Sequence, residues 1–195
     1  MTWGDAPADD VLRGPGRPGL ADRLERWVAD ARVADAAVRR GRERWLRDVA
    51  EQEASLAGTL LDHGERASTV TVRTLAGRAH QGQVEVVGVD FVGLRLRAGG
   101  VAMVATAAVS VVRTAPGDER SVGDRAVSTD LLLADVLREL AADRERVLLV
   151  TGGGADAVSG ELRSVGRDVA VVRTDGDPPG TAYVPLGAIT EATLT

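Results

Sequence analysis

Two stretches of this sequence resemble each other at a nearly constant spacing, and this repeat limits the fold more than any other feature. Residues 80–96, HQGQVEVVGVDFVGLRL, align with residues 158–174, VSGELRSVGRDVAVVRT, at an offset of 78. After the following turn the offset becomes 80, and residues 101–111 align with residues 181–191. A two-residue insertion in one turn explains the change. The chain therefore contains two copies of one unit.

Apolar residues alternate with polar ones inside each copy, and the runs end at glycine or short polar turns. In the first copy the runs are VTVRT, GQVEVVG, FVGLRLR, VAMVA and AVSVV. A period of two with glycine-rich breaks is typical of β-strands. Each copy therefore predicts about five short strands, which form a small antiparallel barrel when they are bent and closed.

The pattern resembles the Sm-like small barrel, which has a glycine in strand two, an aspartate at the turn before strand three and a kinked link before strand five. Gly82 and Asp90 occupy these positions in the first copy, and Gly160 and Asp168 in the second. PRC-like and other SH3-like barrels have a similar pattern, so descent stays open among them. Sm-like RNA binders also carry an asparagine after the turn and an Arg-Gly or Lys-His pair near the last strand. This chain has neither feature, so the resemblance implies the fold but not an intact RNA pocket.

Residues 20–66 predict a long amphipathic helix before the first copy. Apolar and small residues follow at steps of mostly three and four from Leu20 to Leu60, which is a helical period. The phase continues through Gly41, so one helix to about His63 is favoured over a hairpin, with a bend at Gly41 left open. The stripe can pack on its own chain or, as we favour, form a coiled coil with a second copy. The residues expected to make this contact are Leu24, Trp27, Val38, Trp45 and Val49.

A second helix is predicted between the two copies. Ser128 or Thr129 can cap its first turn, and apolar residues lie on one side of it. The sequence thus predicts an α+β chain, with a long N-terminal helix and two tandem five-stranded Sm-like barrels joined by a helix. The predicted segments are a disordered leader over 1–19, the helix over 20–66, barrel 1 over 67–114, a linker over 115–127, the connecting helix over 128–145 and barrel 2 over 146–195.

Composition limits the chemistry and the compartment. The chain has no cysteine, which excludes disulfide frameworks, cysteine nucleophiles and thiolate metal sites. No signal-peptide pattern is visible, and no run of about 18 apolar residues could span a membrane. We therefore expect a cytoplasmic protein without membrane contact.

Charge is divided unevenly along the chain. The net charge is -5, yet residues 68–114 carry five arginines against Glu85 and Asp90. Residues 147–195 carry three arginines against six acidic residues. The basic barrel can attract the phosphates of a nucleic acid, or it can dock on an acidic part of a neighbouring copy. We favour docking or solvation, because Phe91 is its only aromatic ring. The candidate contact residues are Arg73, Arg78, His80, Arg95, Arg97 and Arg113.

The spacing of reactive side chains assembles no catalytic site. The glycine run at 152–154 follows a strand, but a further strand comes next instead of the helix that a phosphate-binding loop needs. Asp90 and Asp168 recur at one turn, which predicts that each side chain bonds to its own turn. His63 and His80 have no third metal ligand. We expect no enzyme activity, cofactor, metal or small-molecule substrate.

The sequence therefore favours a non-catalytic interaction or scaffolding protein. It would form a homo-oligomer through its N-terminal helix and display its barrels to another protein. The alternative is a regulatory protein that binds RNA or single-stranded DNA through the arginines of barrel 1. The partner, the oligomer number and whether the barrels share an edge stay open.

Overall fold

The computed structural model of the chain describes residues 19–118, 121–127, 129–152 and 156–194. The predicted leader except for Gly19, together with Ser128 and most of the glycine run, lies outside these residues. The helices are α1 (Leu20–Glu53), α2 (Leu56–Glu65) and α3 (Leu133–Ala142). The strands are β1 (Thr69–Thr74), β2 (Ala79–Val87), β3 (Phe91–Leu96), β4 (Val101–Ala105), β5 (Val109–Thr114), β6 (Arg146–Thr151), β7 (Ala157–Val165), β8 (Val169–Thr174), β9 (Thr181–Pro185) and β10 (Ile189–Leu194). The chain divides into two compact units. The first unit ends at Asp48, and the second begins at Val49.

The structural repeat is longer than the sequence alignment indicates, because it includes a helix. The first repeat runs from α2 to β5 and the second from α3 to β10. Each has a helix of 10 residues, and its five strands have 6, 9, 6, 5 and 6 residues in both copies. Leu60 of α2 and Leu137 of α3 occupy the same place in the two helices, and both side chains are fully buried. The repeated unit is therefore one helix packed on five strands.

All ten strands belong to one sheet, in the order β5-β1-β2-β3-β4-β10-β6-β7-β8-β9, and every pairing is antiparallel. The predicted α+β class is therefore confirmed. The two repeats share an edge, because β10 pairs with β4 as well as with β6. The sheet does not close, whereas the sequence predicted two barrels.

The helices α2 and α3 cover two different cores. Each of these two helices packs on the second strand of its own repeat. Leu60 lies with Val70, Val72 and other residues of the first repeat. Leu137 lies in a larger core that also takes in Phe91 and Met103 from the first repeat. The two repeats are therefore joined by side-chain packing as well as by β4–β10 pairing.

The predicted single helix over 20–66 is two helices, and the break is at Ser55 rather than at Gly41. Ser55 has extended backbone angles of -121° and 158°, and its hydroxyl accepts a hydrogen bond of 2.9 Å from the amide of Gly58. A serine in this position satisfies an otherwise unbonded amide of the first turn, so it starts a new helix. Continuity from α1 into α2 was therefore the wrong prediction.

The connecting helix is shorter than the predicted segment 128–145, because an upstream turn binds the residues before it. The Val89 amide donates to the Leu131 carbonyl at 2.9 Å. The Leu133 amide donates to Asp90 Oδ1 at 2.8 Å. Asp90 thus bonds to a helix in the other repeat and not to its own turn, which corrects the prediction for this residue. Arg144, at a φ of 55°, follows the end of the helix.

The linker between the repeats is held against α2. Ser121 Oγ donates to Asp62 Oδ2 at 2.6 Å, and the Gly123 amide donates to the same oxygen at 3.0 Å. These two hydrogen bonds hold the pKa of the Asp62 carboxyl below its ordinary value of 3.8. A Cβ on Gly58 would lie 2.2 Å from the Gly123 carbonyl oxygen, so α2 and the linker touch at this glycine.

Candidate functional site

Four of the six predicted contact residues share one face of the sheet. Arg113 pairs with Thr71, and Thr71 pairs with Gln81, so these three side chains point to the same side. The Arg97 amide donates to the Gln81 carbonyl at 2.9 Å, which continues the row onto the end of β3. Arg73 lies two residues from Thr71 on β1 and therefore points to this side as well.

This outer face is polar and accessible. Arg73, Arg97 and Arg113 are exposed, and so are Gln81 and Gln83 between them. Gln83 pairs with Arg95, which adds a fourth arginine to the row beside it. The basic face is defined by Arg73, Arg95, Arg97 and Arg113.

The carboxylate of Glu85 neutralises part of this face. It forms an ion pair with Arg95, whose side chain is 70% exposed. No ion pair is found for the other three arginines of the basic face among the residues that the structure describes. Three guanidinium groups therefore remain for an anionic partner.

Of the other two predicted residues, His80 is buried, and Arg78, whose side chain is 40% exposed, turns its guanidinium toward a buried carboxylate. His80 alternates along β2 with Gly82 and Val84, and all three are buried. His80 Nε2 lies 2.8 Å from Glu191 Oε2, and Arg78 forms an ion pair with the other carboxylate oxygen. These two residues are therefore not part of the basic face.

Glu191 is fully buried, and its strand, β10, lies in the middle of the sheet. It pairs with Val104, and Val104 pairs with Val92, so the Glu191 side chain faces the interior of the first repeat. A buried carboxylate is costly unless cations and hydrogen bonds compensate its charge. Arg78 and His80 supply that compensation across the boundary between repeats.

Sequence reasoning missed Glu191, although a signal was present. It is the only charged residue in the last strand, with Thr190 and Ala192 on either side. The inward position of His80 was also readable from its period-two spacing to Val84. What the sequence did not contain was the pairing of β10 with β4, which brings the two residues together.

The α1 residues predicted to self-associate are exposed, with one exception. The exposed fractions are 52% for Leu24, 70% for Trp27, 71% for Val38 and 62% for Trp45. Val49 is half-buried and follows Asp48, where the first compact unit ends. The apolar stripe available on α1 therefore runs from Leu20 to Trp45.

An apolar cavity of 260 Å³ lies between the sheet and α3. It is lined by Phe91, Met103, Leu131, Val136 and Leu140, among others, and Glu85 is its only charged lining residue. The cavity has no catalytic side-chain arrangement. It borders the core that joins the two repeats.

The two histidines lie in different hydrogen-bonded environments. His63 Nδ1 is 2.8 Å from Ser68 Oγ, whereas His80 contacts Glu191. Among the described residues, no group of three or more His, Cys, Asp or Glu side chains could hold a metal ion.

Within the same residues, no helix has the length and apolar character needed to cross a membrane.

Comparison with known proteins gives no match, so the function has to be inferred from the fold and the surfaces of this chain. No family model, curated protein or solved structure matches this chain.

Proposed function

We propose that this chain is a non-catalytic, cytoplasmic scaffolding protein that self-associates through α1 and presents two Sm-like repeats to other proteins. The observation that carries the proposal is the exposed stripe on α1. Its members are spaced by three and four residues in strict alternation from Leu20 to Trp45. This is the heptad spacing of a coiled coil.

The exposure of the stripe supports the proposal. Trp27 and Trp45 leave 70% and 62% of their surfaces exposed, and Val38 leaves 71%. Burying a large apolar side chain contributes about 1.5–3 kcal/mol. A second α1 helix would bury these residues on both chains at once.

The open edges of the sheet support the presentation of the repeats to partners. In the described part of the chain, β5 and β9 each pair with one neighbour only. Val111 on β5 is 40% exposed and Tyr183 on β9 is 71% exposed. An edge strand with free backbone groups can accept an added strand from another protein.

The test is the mass of the full chain by light scattering over a wide concentration range. Wild type should be a dimer or larger, and Val38→Asp should be a monomer because a charge would enter the contact. Val33→Asp is the matched control, since Val33 is 66% exposed on the same helix but lies outside the stripe. A monomeric wild type, or an equal effect of both substitutions, would refute self-association through α1.

A second candidate function is the binding of nucleic-acid phosphates, and the basic face favours it. Four arginines with intervening glutamines lie on neighbouring strands. Arginine side chains bind phosphate oxygens in a forked geometry. Phe91, the only Phe, Tyr or Trp residue of the first repeat, is fully buried, so contact would be to the backbone and not by base stacking.

Fluorescence anisotropy with labelled RNA and single-stranded DNA tests this candidate at about 50 mM and about 200 mM salt. A triple variant with Arg73, Arg97 and Arg113 changed to Gln should lose binding. A second triple variant with Arg138, Arg144 and Arg163 changed to Gln removes equal charge elsewhere and should retain it. Absence of binding at low salt, or equal loss in both variants, would exclude the basic face.

A further inference from the structure

The stripe on α1 has a heptad phase that assigns every residue of the helix to a position relative to a partner. Leu24, Ala31, Val38 and Trp45 take the a positions, and Leu20, Trp27, Ala34 and Gly41 take the d positions. Residues just outside these rows, at e and g, flank the contact and set the orientation of the two helices. The charges at e and g are therefore informative about the partner.

We infer that α1 pairs with the α1 helix of a second copy in antiparallel orientation, with Trp27 facing the partner's Trp45. This inference rests on the proposed self-association and specifies its geometry. In this register Ala31 faces the partner's Gly41, and Ala34 faces the partner's Val38.

A parallel pair is opposed by charge. Parallel helices place each g residue beside the e residue five positions further along the partner. Asp30 would then lie beside the partner's Asp35, and the symmetry of the pair repeats this contact. The other e and g pairs of the stripe combine an arginine with an apolar residue, so none of them compensates the two repulsive contacts.

A parallel pair is also opposed by packing. It aligns identical residues, so Gly41 would face the partner's Gly41 and leave a layer without side chains. An unfilled layer in an apolar contact is destabilising. In the inferred antiparallel register each Gly41 faces an alanine, and the largest residues, Trp27 and Trp45, share a layer.

The antiparallel register is supported by charge complementarity. Antiparallel helices bring g beside g and e beside e, which places Asp30 next to the partner's Arg44 twice per dimer. Two kinds of unfavourable contact remain: Asp35 lies next to its own symmetry mate, and Leu24 faces the partner's Asp48. A shift of one heptad that brings Leu20 opposite the partner's Trp45 places Arg23 next to the partner's Arg44 twice. The opposite shift leaves Trp27 facing the partner's Gln52, so both alternative registers are disfavoured.

Disulfide trapping tests the orientation in the full chain, because the natural sequence has no cysteine. Ala31→Cys and Gly41→Cys proteins, distinguished by a size tag and oxidised as a mixture, should give only the mixed disulfide. Residue 31 would be about 15 Å along the axis from the partner's residue 31 in this register, too far for a bond. Homodimeric disulfides would identify a parallel pair and overturn the inference.

A charge reversal gives a second readout that does not depend on oxidation. Asp30→Arg should weaken dimerisation about threefold or more, because it would then oppose Arg44. Asp30→Arg combined with Arg44→Asp should restore it. A parallel pair predicts the opposite sign for the single variant, since Asp30→Arg would face Asp35.

The two levels of the proposal fail in different ways. A wild-type monomer removes both the self-association and the inference. A dimer that is disrupted by Val38→Asp but is trapped as homodimeric disulfides removes the antiparallel geometry alone.

Discussion

Glu191 Oε2 lies 2.8 Å from His80 Nε2, although the two residues are 111 positions apart in the sequence. The carboxylate belongs to the second repeat and the imidazole to the first. Arg78 holds the other carboxylate oxygen. The boundary between the repeats thus contains an ionic cluster around a buried carboxylate as well as paired strands.

Replacing the carboxylate of this cluster should destabilise the fold. Glu191→Gln keeps the side-chain size but leaves Arg78 and His80 without their anion, and we expect a loss of about 3 kcal/mol in the free energy of unfolding. Urea denaturation measures this loss. Glu85→Gln, which removes an exposed ion pair with Arg95, should cost no more than about 1 kcal/mol. Equal losses would mean that the buried cluster contributes no special stability.

The repeat provides a matched pair for testing the cap on α3. Asp90→Ala removes the acceptor for the Leu133 amide and should lower stability by about 1 kcal/mol. Asp168 stands at the same place in the second repeat, and within the described residues no side-chain hydrogen bond is found for it, so Asp168→Ala should change stability by less than about 0.5 kcal/mol. Thermal unfolding followed by circular dichroism compares the two. A larger effect at Asp168 would contradict the assigned role of Asp90.

Asp62 should make part of the stability dependent on acid pH. Its pKa is lowered in the folded state, chiefly by the hydrogen bond from Ser121 and then by that from Gly123. The contribution is therefore complete above the unfolded-state value of about 3.9 and is lost as the pH falls through the lower folded pKa. Asp62→Asn should destabilise the protein at pH 7, and the deficit relative to wild type should shrink below about pH 4.

Urea unfolding at a series of pH values measures this difference. Ser121→Ala, which removes the largest cause of the shift, should reproduce part of the effect. Wild-type and Asp62→Asn curves that stay parallel down to about pH 2 would contradict the lowered pKa.

Two equivalent glycines should be intolerant of a side chain. A Cβ on Gly82 would lie 2.1 Å from the Arg95 carbonyl oxygen, and a Cβ on Gly160 would lie at the same distance from that of Arg173. Gly82→Ala and Gly160→Ala should each cost about 1–3 kcal/mol. Gly41→Ala is the contrasting change, because no atom lies within 4 Å of its Cβ and alanine favours a helix interior by about 1 kcal/mol. Urea melts and the helical circular dichroism signal measure these effects, and a neutral Gly82→Ala would contradict the close backbone approach.

The local patterns predicted most strands but not how the repeats combine. Alternation along β2 indicated an inner position for His80 with Val84, but the prediction counted His80 among the contact residues. Ser55 was a readable start signal for α2 that the prediction did not use, because it followed the continuous phase of the stripe. Local periodicity describes neighbours along the chain and contains no information on which edges meet.

The candidate site was predictable to the same extent. The excess of arginine in the first repeat could be counted from the sequence. The alternation of apolar and polar residues along β1 also indicates that Arg73 lies on the outer face. Asp90 was assigned to its own turn, yet it bonds to Leu133, which is 43 positions away. Such contacts depend on the packing of distant elements, so residue type and spacing could not identify them.

The position of β10 has a consequence for how the chain acquires its structure during synthesis. β10 is the last of the ten strands to leave the ribosome, yet it pairs with β4 and β6 in the middle of the sheet. Until it emerges, two strands that end up covered have free backbone groups and can pair with the wrong partner. Before β10 pairs, the two repeats lack the backbone hydrogen bonds that join them, and the edges of β4 and β6 are open to proteases and aggregation.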